Sequence, residues 1–95
     1  TQCNILLIHS DQHRADCLGV NGHPFVQTPN LDRLARQGCN FRHAYTPSPI
    51  CTPARTSLLT GLWPQQHGSI TNSDAEAGKP LTPHLATFSQ ALQQA

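Results

Sequence analysis

The sequence has few charged residues and almost no excess of either sign. Charged side chains make up 12% of its 95 residues, and six Lys and Arg stand against five Asp and Glu, a formal net charge of +1 at pH 7. A nucleic-acid-binding surface needs clustered basic residues, and an acidic interaction tail needs a run of carboxylates. The composition provides neither, so we expect no nucleic acid among the partners of this protein.

Long apolar runs are also missing. The longest is residues 5–8, whereas a membrane-spanning helix needs about 20 apolar residues. The sequence therefore predicts no membrane span. With 37% hydrophobic residues, one Trp and no Met, it is compatible with one small globular domain that has a thin core.

No two cysteines have the spacing of a zinc or redox motif. The four cysteines are Cys3, Cys17, Cys39 and Cys51. Because none forms a Cys-x-x-Cys pair, a zinc ribbon and a thioredoxin-like site are disfavoured. Cys3 and Cys39 lie in or beside apolar strand patterns, where a free cysteine acts as a small hydrophobic residue. The number of cysteines alone leaves disulfide pairing open.

The clearest pattern in the sequence is a strand, a helix and a second strand. Residues 5–8 form a continuous apolar run, typical of a parallel strand covered on both faces. Alternate residues of the segment 39–45 form one mostly apolar face, which predicts a second strand. Residues 13–27 are interrupted by Gly and Pro and are predicted to be a loop that precedes the helix. This order is that of a βαβ unit.

Three helices are predicted to begin at Thr-Pro pairs, because Thr caps free N–H groups and Pro is tolerated at the first helical position. The pairs are Thr28-Pro29, Thr52-Pro53 and Thr82-Pro83. Gly38 and Gly61 predict the ends of the first two helices, and no stop signal follows Leu92 in the third. Residues 63–80 are polar and rich in Gly and Pro, which predicts a surface loop.

Two strands and three helices leave sheet edges and apolar helix faces without partners. We therefore predict that residues 1–95 are the N-terminal piece of a larger α/β protein.

In an open α/β sheet, ligands bind beyond the carboxyl ends of the strands. Asp11 and Gln12 follow the first predicted strand. A carboxylate there suits a hard cation such as Ca²⁺, Mg²⁺ or Mn²⁺, and Gln12 adds a neutral oxygen or an amide donor. A helix cap or a solvated loop acid explains the position of Asp11 equally well.

Cys51 follows the second predicted strand and precedes a helix whose N-terminus favours negative charge. Arg55 lies one turn later and is suited to holding an anion. These residues outline an anion-binding nucleophile site. The Cys-to-Arg spacing is shorter than that of the thiol phosphatase loop, and Pro53 lacks a backbone donor, so a thiol phosphatase is disfavoured.

The segment CTPAR at residues 51–55, followed by LTG at residues 59–61, resembles the signature of the type I sulfatase family, Cys-x-Pro-Ser/Ala-Arg with a downstream Leu-Thr-Gly. The segments NILLIHSDQHRAD, TPNLDRLARQG and FRHAY precede it in the order in which these enzymes open. The resemblance spans residues 3 to 72. It implies an alkaline phosphatase/sulfatase-like α/β fold with a mixed, largely parallel sheet sandwiched by helices. Residues 1–95 would be the N-terminal segment of the catalytic domain, incomplete on its own.

The resemblance also implies a chemistry. In this family the signature cysteine is oxidised to formylglycine by a separate formylglycine-generating enzyme, and the hydrated aldehyde attacks the sulfur of a sulfate ester beside a divalent cation. By this resemblance, Cys51 is the formylglycine precursor and Arg55 holds the diol and the metal site together. Asp11, Gln12 and Cys51 are the implied metal ligands, with Ca²⁺ as the first expectation and Mn²⁺ or Mg²⁺ as alternatives.

Three residues are implied at the substrate site. Gln12 departs from the second Asp of the arylsulfatases, and the Asp-Gln pair is similar to that of choline sulfatases and phosphonate monoester hydrolases, where the Gln faces substrate. His67 and Asn72 lie in a loop that borders the substrate pocket in relatives, although a plain surface-loop role explains both. Arg14 and Asp16 are expected to brace the metal loop as a local ion pair.

Metal-dependent hydrolysis of a small-molecule sulfate ester is therefore the expected function. A phosphonate or phosphate ester hydrolase that uses the same diol is the first alternative. A noncatalytic sulfatase-like module is the second, and the intact Cys51 and Arg55 count against it. Further site residues are expected from the remainder of the sulfatase chain, so residues 1–95 alone are expected to be inactive.

Overall fold

The computed structural model describes residues 4–73 and 85–94. The helical elements of these residues are a 3₁₀ turn at Gly19–Asn21 and four α-helices. The α-helices are α1 (Pro29–Gln37), α2 (Cys51–Thr60), α3 (Pro64–His67) and α4 (Phe88–Gln94). The chain divides into two compact units, Thr1–Ala44 and Tyr45–Ala95.

In the first unit, α1 confirms the helix predicted from the Thr28-Pro29 pair and ends before Gly38 as predicted. The hydroxyl of Thr28 accepts a hydrogen bond from the Gly19 N–H at 2.9 Å and donates one to Asp32 Oδ1 at 2.7 Å. The Val20 N–H also donates to Asp32 Oδ1, at 2.9 Å. A Cβ at Gly19 would lie 2.6 Å from Asp32 Oδ2, so a larger residue at this junction between the 3₁₀ turn and α1 would displace the Asp32 carboxylate.

The predicted loop at residues 13–27 contains only the 3₁₀ turn, and side-chain hydrogen bonds hold it in place. Asn21 Nδ2 donates to the Ala15 carbonyl at 2.7 Å, and Asn40 Nδ2 donates to Asn21 Oδ1 at 2.9 Å. His23 Nδ1 accepts the N–H of Val26 at 2.9 Å. A segment without helix or strand periodicity is thus held by its own polar side chains, as expected for an ordered loop.

The described residues contain no strand. The strands predicted at residues 5–8 and 39–45 are therefore absent from this structure. The apolar side chains that a sheet would cover are open to solvent: Leu6 is 85% exposed and Tyr45 is 88% exposed. A strand needs a neighbouring strand to accept and donate its backbone hydrogen bonds. No segment of the described chain supplies one, so the apolar pattern alone does not produce a strand here.

In the second unit, α2 confirms the predicted second helix but begins at Cys51 with Ile50 as its N-cap, two residues before the predicted Thr52 cap. Its end at Gly61 is confirmed. Gly61 has φ of 72°, a left-handed conformation suited to glycine, and its N–H donates to the Ser57 carbonyl at 2.8 Å.

The loop predicted at residues 63–80 is wrong at its start, where Pro64–His67 forms the single-turn helix α3. The Trp63 N–H donates to Gln66 Oε1 at 2.9 Å, which stabilises this turn. Residues 74–80 of the predicted loop lie outside the described residues.

The predicted third helix is present as α4, but the Thr82-Pro83 start lies outside the described residues. Leu85 precedes the helix, which begins at Phe88. Thr87 and Gln90 form a reciprocal cap: the Thr87 N–H donates to Gln90 Oε1 at 2.9 Å, and the Gln90 N–H donates to Thr87 Oγ1 at 3.3 Å. Two orphan N–H groups at the helix start are thereby satisfied.

No large hydrophobic side chain is buried among residues 4–73 and 85–94. The buried residues are instead small, polar or proline, and all belong to the second unit: Ser48, Pro53, Thr56, Ser57, Pro64, His67 and Ser69. The core is therefore even thinner than the composition suggested. Within the described part of the chain, no helix is long and apolar enough to cross a membrane.

Candidate active site

Cys51 is the first residue of α2, and its thiol is free and half-buried. The preceding residue, Ile50, is the N-cap and has extended backbone angles, with φ of −105° and ψ of 140°. An isoleucine has no side-chain oxygen, so it leaves the amides of the first turn uncapped. The candidate nucleophile therefore lies at a helix end that needs a cap from elsewhere.

Asn72 supplies that cap. Its Oδ1 accepts the Thr52 N–H at 3.0 Å, from a position 20 residues further along the chain. Pro53 has no N–H, and the Ala54 N–H donates to the Ile50 carbonyl at 3.1 Å. Among the first four residues of α2, only the Cys51 amide has no acceptor in the described chain. An anion at this helix end would therefore meet the helix dipole and one unpaired amide N–H. A regular helix N-terminus offers more N–H donors.

Arg55 lies four residues after Cys51 on the same helix and is exposed. Residues at i and i+4 are neighbours on one face of a helix. The helix therefore places Cys51 and Arg55 on one side of its N-terminal turns.

His67 ends α3 and is only 4% exposed, so the surface-loop interpretation of this residue is wrong. Its Nδ1 accepts the Ser69 N–H at 3.1 Å, and its Nε2 lies 2.9 Å from the hydroxyl of Ser57 on α2. Because a backbone N–H is always a donor, Nδ1 is the acceptor and, in the neutral ring, the proton is on Nε2. Nε2 therefore donates to Ser57 Oγ. Asn72, by contrast, is exposed.

Asp11 and Gln12 lie in the first unit, whereas Cys51, Arg55, His67 and Asn72 lie in the second. Both Asp11 and Gln12 are exposed, and Gln12 has φ of 49°. A left-handed conformation is uncommon outside glycine, Asn and Asp, and such local strain is concentrated at functional sites. The bend sets the direction of the chain at the two candidate oxygen ligands.

The donor chemistry at Asp11 and Gln12 suits a hard cation, because a carboxylate and an amide carbonyl are both oxygen ligands. Two oxygens are too few alone, since Ca²⁺ takes about six to eight. No group of three or more His, Cys, Asp or Glu able to hold a metal is present among the residues described. A complete site at this bend would therefore need ligands from other parts of the protein.

Arg14 and Asp16 form the predicted ion pair. Arg14 Nε lies 3.0 Å from Asp16 Oδ1, and Arg14 Nη2 lies 2.5 Å from Asp16 Oδ2. The hydrogen bond from Arg14 lowers the pKa of the Asp16 carboxyl, and the hydrogen bond to Asp16 raises the pKa of Arg14. Both side chains are exposed, so this pair fixes local geometry more than it adds stability.

Sequence reasoning missed two features of the site. Ser57 had no assigned role, and nothing in the pattern marks this helix serine as the partner of a histidine ten residues later. The second is the cap on Thr52. The Thr-Pro pair led to Thr52 as the cap itself, whereas Thr52 is the residue that is capped. An isoleucine at the N-cap position was the signal that a distant side chain was needed.

Comparison with known proteins gives the family. Residues 3–95 match the family model described as Sulfatase. The chain is 46% identical over 88 residues to an arylsulfatase of Clostridium perfringens, an alignment that covers 93% of this chain and 18% of the relative. No solved structure matches.

Two further relatives agree. The chain is 46% identical over 78 residues to the multifunctional alkaline phosphatase superfamily protein PehA of Trinickia caryophylli, with 77% of this chain and 15% of the relative covered. It is 44% identical over 80 residues to the N-acetylgalactosamine-6-sulfatase of Mus musculus, with 84% of this chain and 15% of the relative covered. The chain thus spans less than a fifth of the length of these relatives. The matches along nearly all of its residues nevertheless show that it belongs to the Sulfatase family, which implies an alkaline phosphatase-like α/β fold.

Proposed function

We propose that the protein to which this chain belongs hydrolyses sulfate esters, with residue 51 as a formylglycine nucleophile generated from cysteine. The observation that carries the proposal is the position of Cys51 as first residue of α2, with Arg55 on the same helix, in a chain of the Sulfatase family. A helix N-terminus and a guanidinium both stabilise the negative charge that develops on sulfate oxygens in the transition state.

The proposed reaction uses both hydroxyl groups of the hydrated aldehyde at residue 51. One oxygen forms a bond to sulfur as the ester S–O bond breaks, and the alcohol leaves with a proton. The second hydroxyl then loses its proton and the carbonyl re-forms, which breaks the carbon–oxygen bond to the sulfate group and releases sulfate. The half-buried position of residue 51 leaves its side chain accessible to a substrate.

Asn72 is the substrate-site candidate that the contacts favour most. Its Oδ1 is committed to the Thr52 N–H, which fixes the plane of the amide beside the N-terminal turn of α2. The Nδ2 group then remains as the donor part of this side chain, and a sulfate oxygen is a suitable acceptor. Gln12 is proposed as a second donor to the substrate.

A divalent cation is part of the proposal. Asp11 and Gln12 would hold it together with residue 51 and with oxygen ligands from other parts of the protein; Ca²⁺ is the first candidate, and Mn²⁺ or Mg²⁺ the alternatives. When bound, the cation acts as a Lewis acid that stabilises negative charge on the reacting oxygens. The formylglycine-generating enzyme is the partner required for maturation.

Hydrolysis of phosphonate or phosphate esters is the second candidate function. The Gln at position 12, where arylsulfatases commonly have Asp, supports it, and so does the 46% identity to a protein named as a multifunctional member of the alkaline phosphatase superfamily. A noncatalytic module is disfavoured because Cys51 and Arg55 are both present.

The test is mass analysis of the tryptic peptide at residues 43–55 from the full-length protein isolated from its native host. We expect an aldehyde in place of the thiol, and loss of aryl sulfate turnover in Cys51→Ala. Rates on matched sulfate and phosphonate esters separate the two candidate functions. An unmodified cysteine in native protein, together with turnover that survives Cys51→Ala, would contradict the proposal.

A further inference from the structure

His67 has no hydrogen-bonding capacity left for a substrate. A neutral imidazole carries one donor and one acceptor, and both are used: Nε2 with Ser57 Oγ at 2.9 Å and Nδ1 with the Ser69 N–H at 3.1 Å. The ring is also buried, at 4% exposure. These contacts do not fit the substrate-binding role implied by the family resemblance, and they require another explanation for a polar ring in this position.

The two hydrogen bonds of His67 join two segments of the second unit. Ser57 lies on α2, in the second half of the helix that begins at Cys51. Ser69 lies in the segment that leaves α3 and leads, three residues later, to Asn72. His67 therefore ties the start of the 68–72 segment to the body of α2.

The far end of the same segment reaches the N-terminus of α2. Asn72 Oδ1 accepts the Thr52 N–H at 3.0 Å, next to Cys51. Ile50 has no side-chain oxygen to replace it, and Pro53 has no N–H for a second cap. The first turn of α2 thus depends on where residues 68–72 are held, and His67 holds their start.

From these contacts the geometry points to His67 as a positioning residue, which acts through Ser57 and Ser69 to place Asn72 against the first turn of α2 and so to fix residue 51. The inference rests on the proposed function only where turnover is measured. It assigns to His67 no contact with substrate.

The experiment compares His67→Ala, Asn72→Ala and the double variant in the full-length protein. Hydrogen exchange at the Thr52 amide reports the cap without reference to activity. We expect each single variant to speed this exchange by about fivefold, the scale of a lost side-chain cap, and the double variant to add little. In turnover we expect kcat to fall by about tenfold to a hundredfold in His67→Ala, because residue 51 is misplaced. Asn72→Ala should lose at least as much, since it also removes the proposed Nδ2 contact with substrate, and the double variant should fall little below Asn72→Ala.

Conservative variants separate positioning from folding. Asn at position 67 places an acceptor near the site of Nδ1, and Gln places a donor near the site of Nε2. We expect His67→Asn and His67→Gln each to recover part of the Thr52 protection and of kcat, and they replace His67→Ala if that variant fails to fold. Gln65→Ala, an exposed position in α3, is the control and should change neither readout.

Three outcomes would overturn the inference. One is normal Thr52 exchange in His67→Ala while Asn72→Ala speeds it. Another is additive loss of kcat in the double variant, which would mean that His67 acts independently of Asn72. The third is a raised KM with unchanged kcat in His67→Ala, the signature of lost substrate binding. If native protein has an unmodified Cys51 and no turnover, the proposed function fails, but the exchange measurement still decides this inference.

Discussion

At the scale of single residues, Ser57 and Ser69 are equally buried but differ in their hydrogen bonding. Ser57 is 8% exposed and its hydroxyl is bonded to His67. Ser69 is 9% exposed, and its hydroxyl has no partner within the described chain. A buried hydroxyl without a partner destabilises the folded state, whereas removal of one partner from a buried pair leaves the other unsatisfied.

This difference predicts that the same substitution destabilises the protein at Ser57 but not at Ser69. Ser57→Ala should lower the free energy of unfolding by about 1–3 kcal/mol, because it leaves the buried Nε2–H of His67 unpaired. Ser69→Ala should leave it unchanged or raise it slightly, since its N–H to His67 is kept and only an unpaired hydroxyl is lost. Urea denaturation of the full-length protein measures both.

Ser69→Ala serves as the matched control for burial and for the loss of one hydroxyl. If both variants are destabilised equally, the hydroxyl of Ser69 has a partner in the full-length protein that the described residues do not contain.

At the scale of elements, helix ends were predicted well where the signal is local. Gly38 and Gly61 end α1 and α2 as expected. At Gly61 the reason is the left-handed backbone, with φ of 72°, which glycine adopts without steric cost. The start of α2 was misplaced by two residues, since its cap comes from Asn72 and no local pattern shows this. The short helix α3 was missed because a single turn has no measurable apolar periodicity.

The distant cap leads to a prediction about α2. In an Asn72→Ala background, Ile50→Ser should recover about 0.5–2 kcal/mol of the lost local stability, because a serine at the N-cap accepts the N–H of the second helical residue, Thr52. Hydrogen exchange at the Thr52 amide provides the measurement.

Leu58→Ser is the matched control, since Leu58 is similarly exposed on α2 (45%, against 37% for Ile50) but far from its N-terminus. Equal recovery by both serines, or none by Ile50→Ser, would show that capping does not limit protection of this amide.

At the scale of the whole molecule, the large apolar side chains have no cover in the described residues. In the segments predicted to be strands, Leu6, Phe41 and Tyr45 are each more than three-quarters exposed. Large exposed apolar patches usually contact something else in the working protein, such as another segment or a partner. The family relatives are more than five times as long as the matched segment, and their additional length is the natural source of neighbouring strands.

We therefore expect Leu6 to be buried in the full-length protein, as the predicted parallel strand requires. Leu6→Ala should then lower the free energy of unfolding by about 2–5 kcal/mol, the usual effect of truncating a buried leucine. Chemical denaturation of the full-length protein measures this change.

Phe25→Ala is the comparison, because Phe25 is as exposed as Leu6 (87% against 85%) but lies in a predicted loop. We expect a change of less than about 1 kcal/mol there. A similarly small effect of Leu6→Ala would show that residues 5–8 stay uncovered and would argue against the sheet.

The sequence alone determined the family signature at residues 51–55, the ends of α1 and α2, and the Arg14–Asp16 pair, because each depends on residues within about one helical turn of one another. Only the tertiary structure decided that Asn72 caps Thr52 and that His67 is buried against Ser57, since these contacts join residues 10 to 20 positions apart. The predicted strands also depended on distant residues: their apolar pattern is local, but their hydrogen bonds need a neighbouring strand.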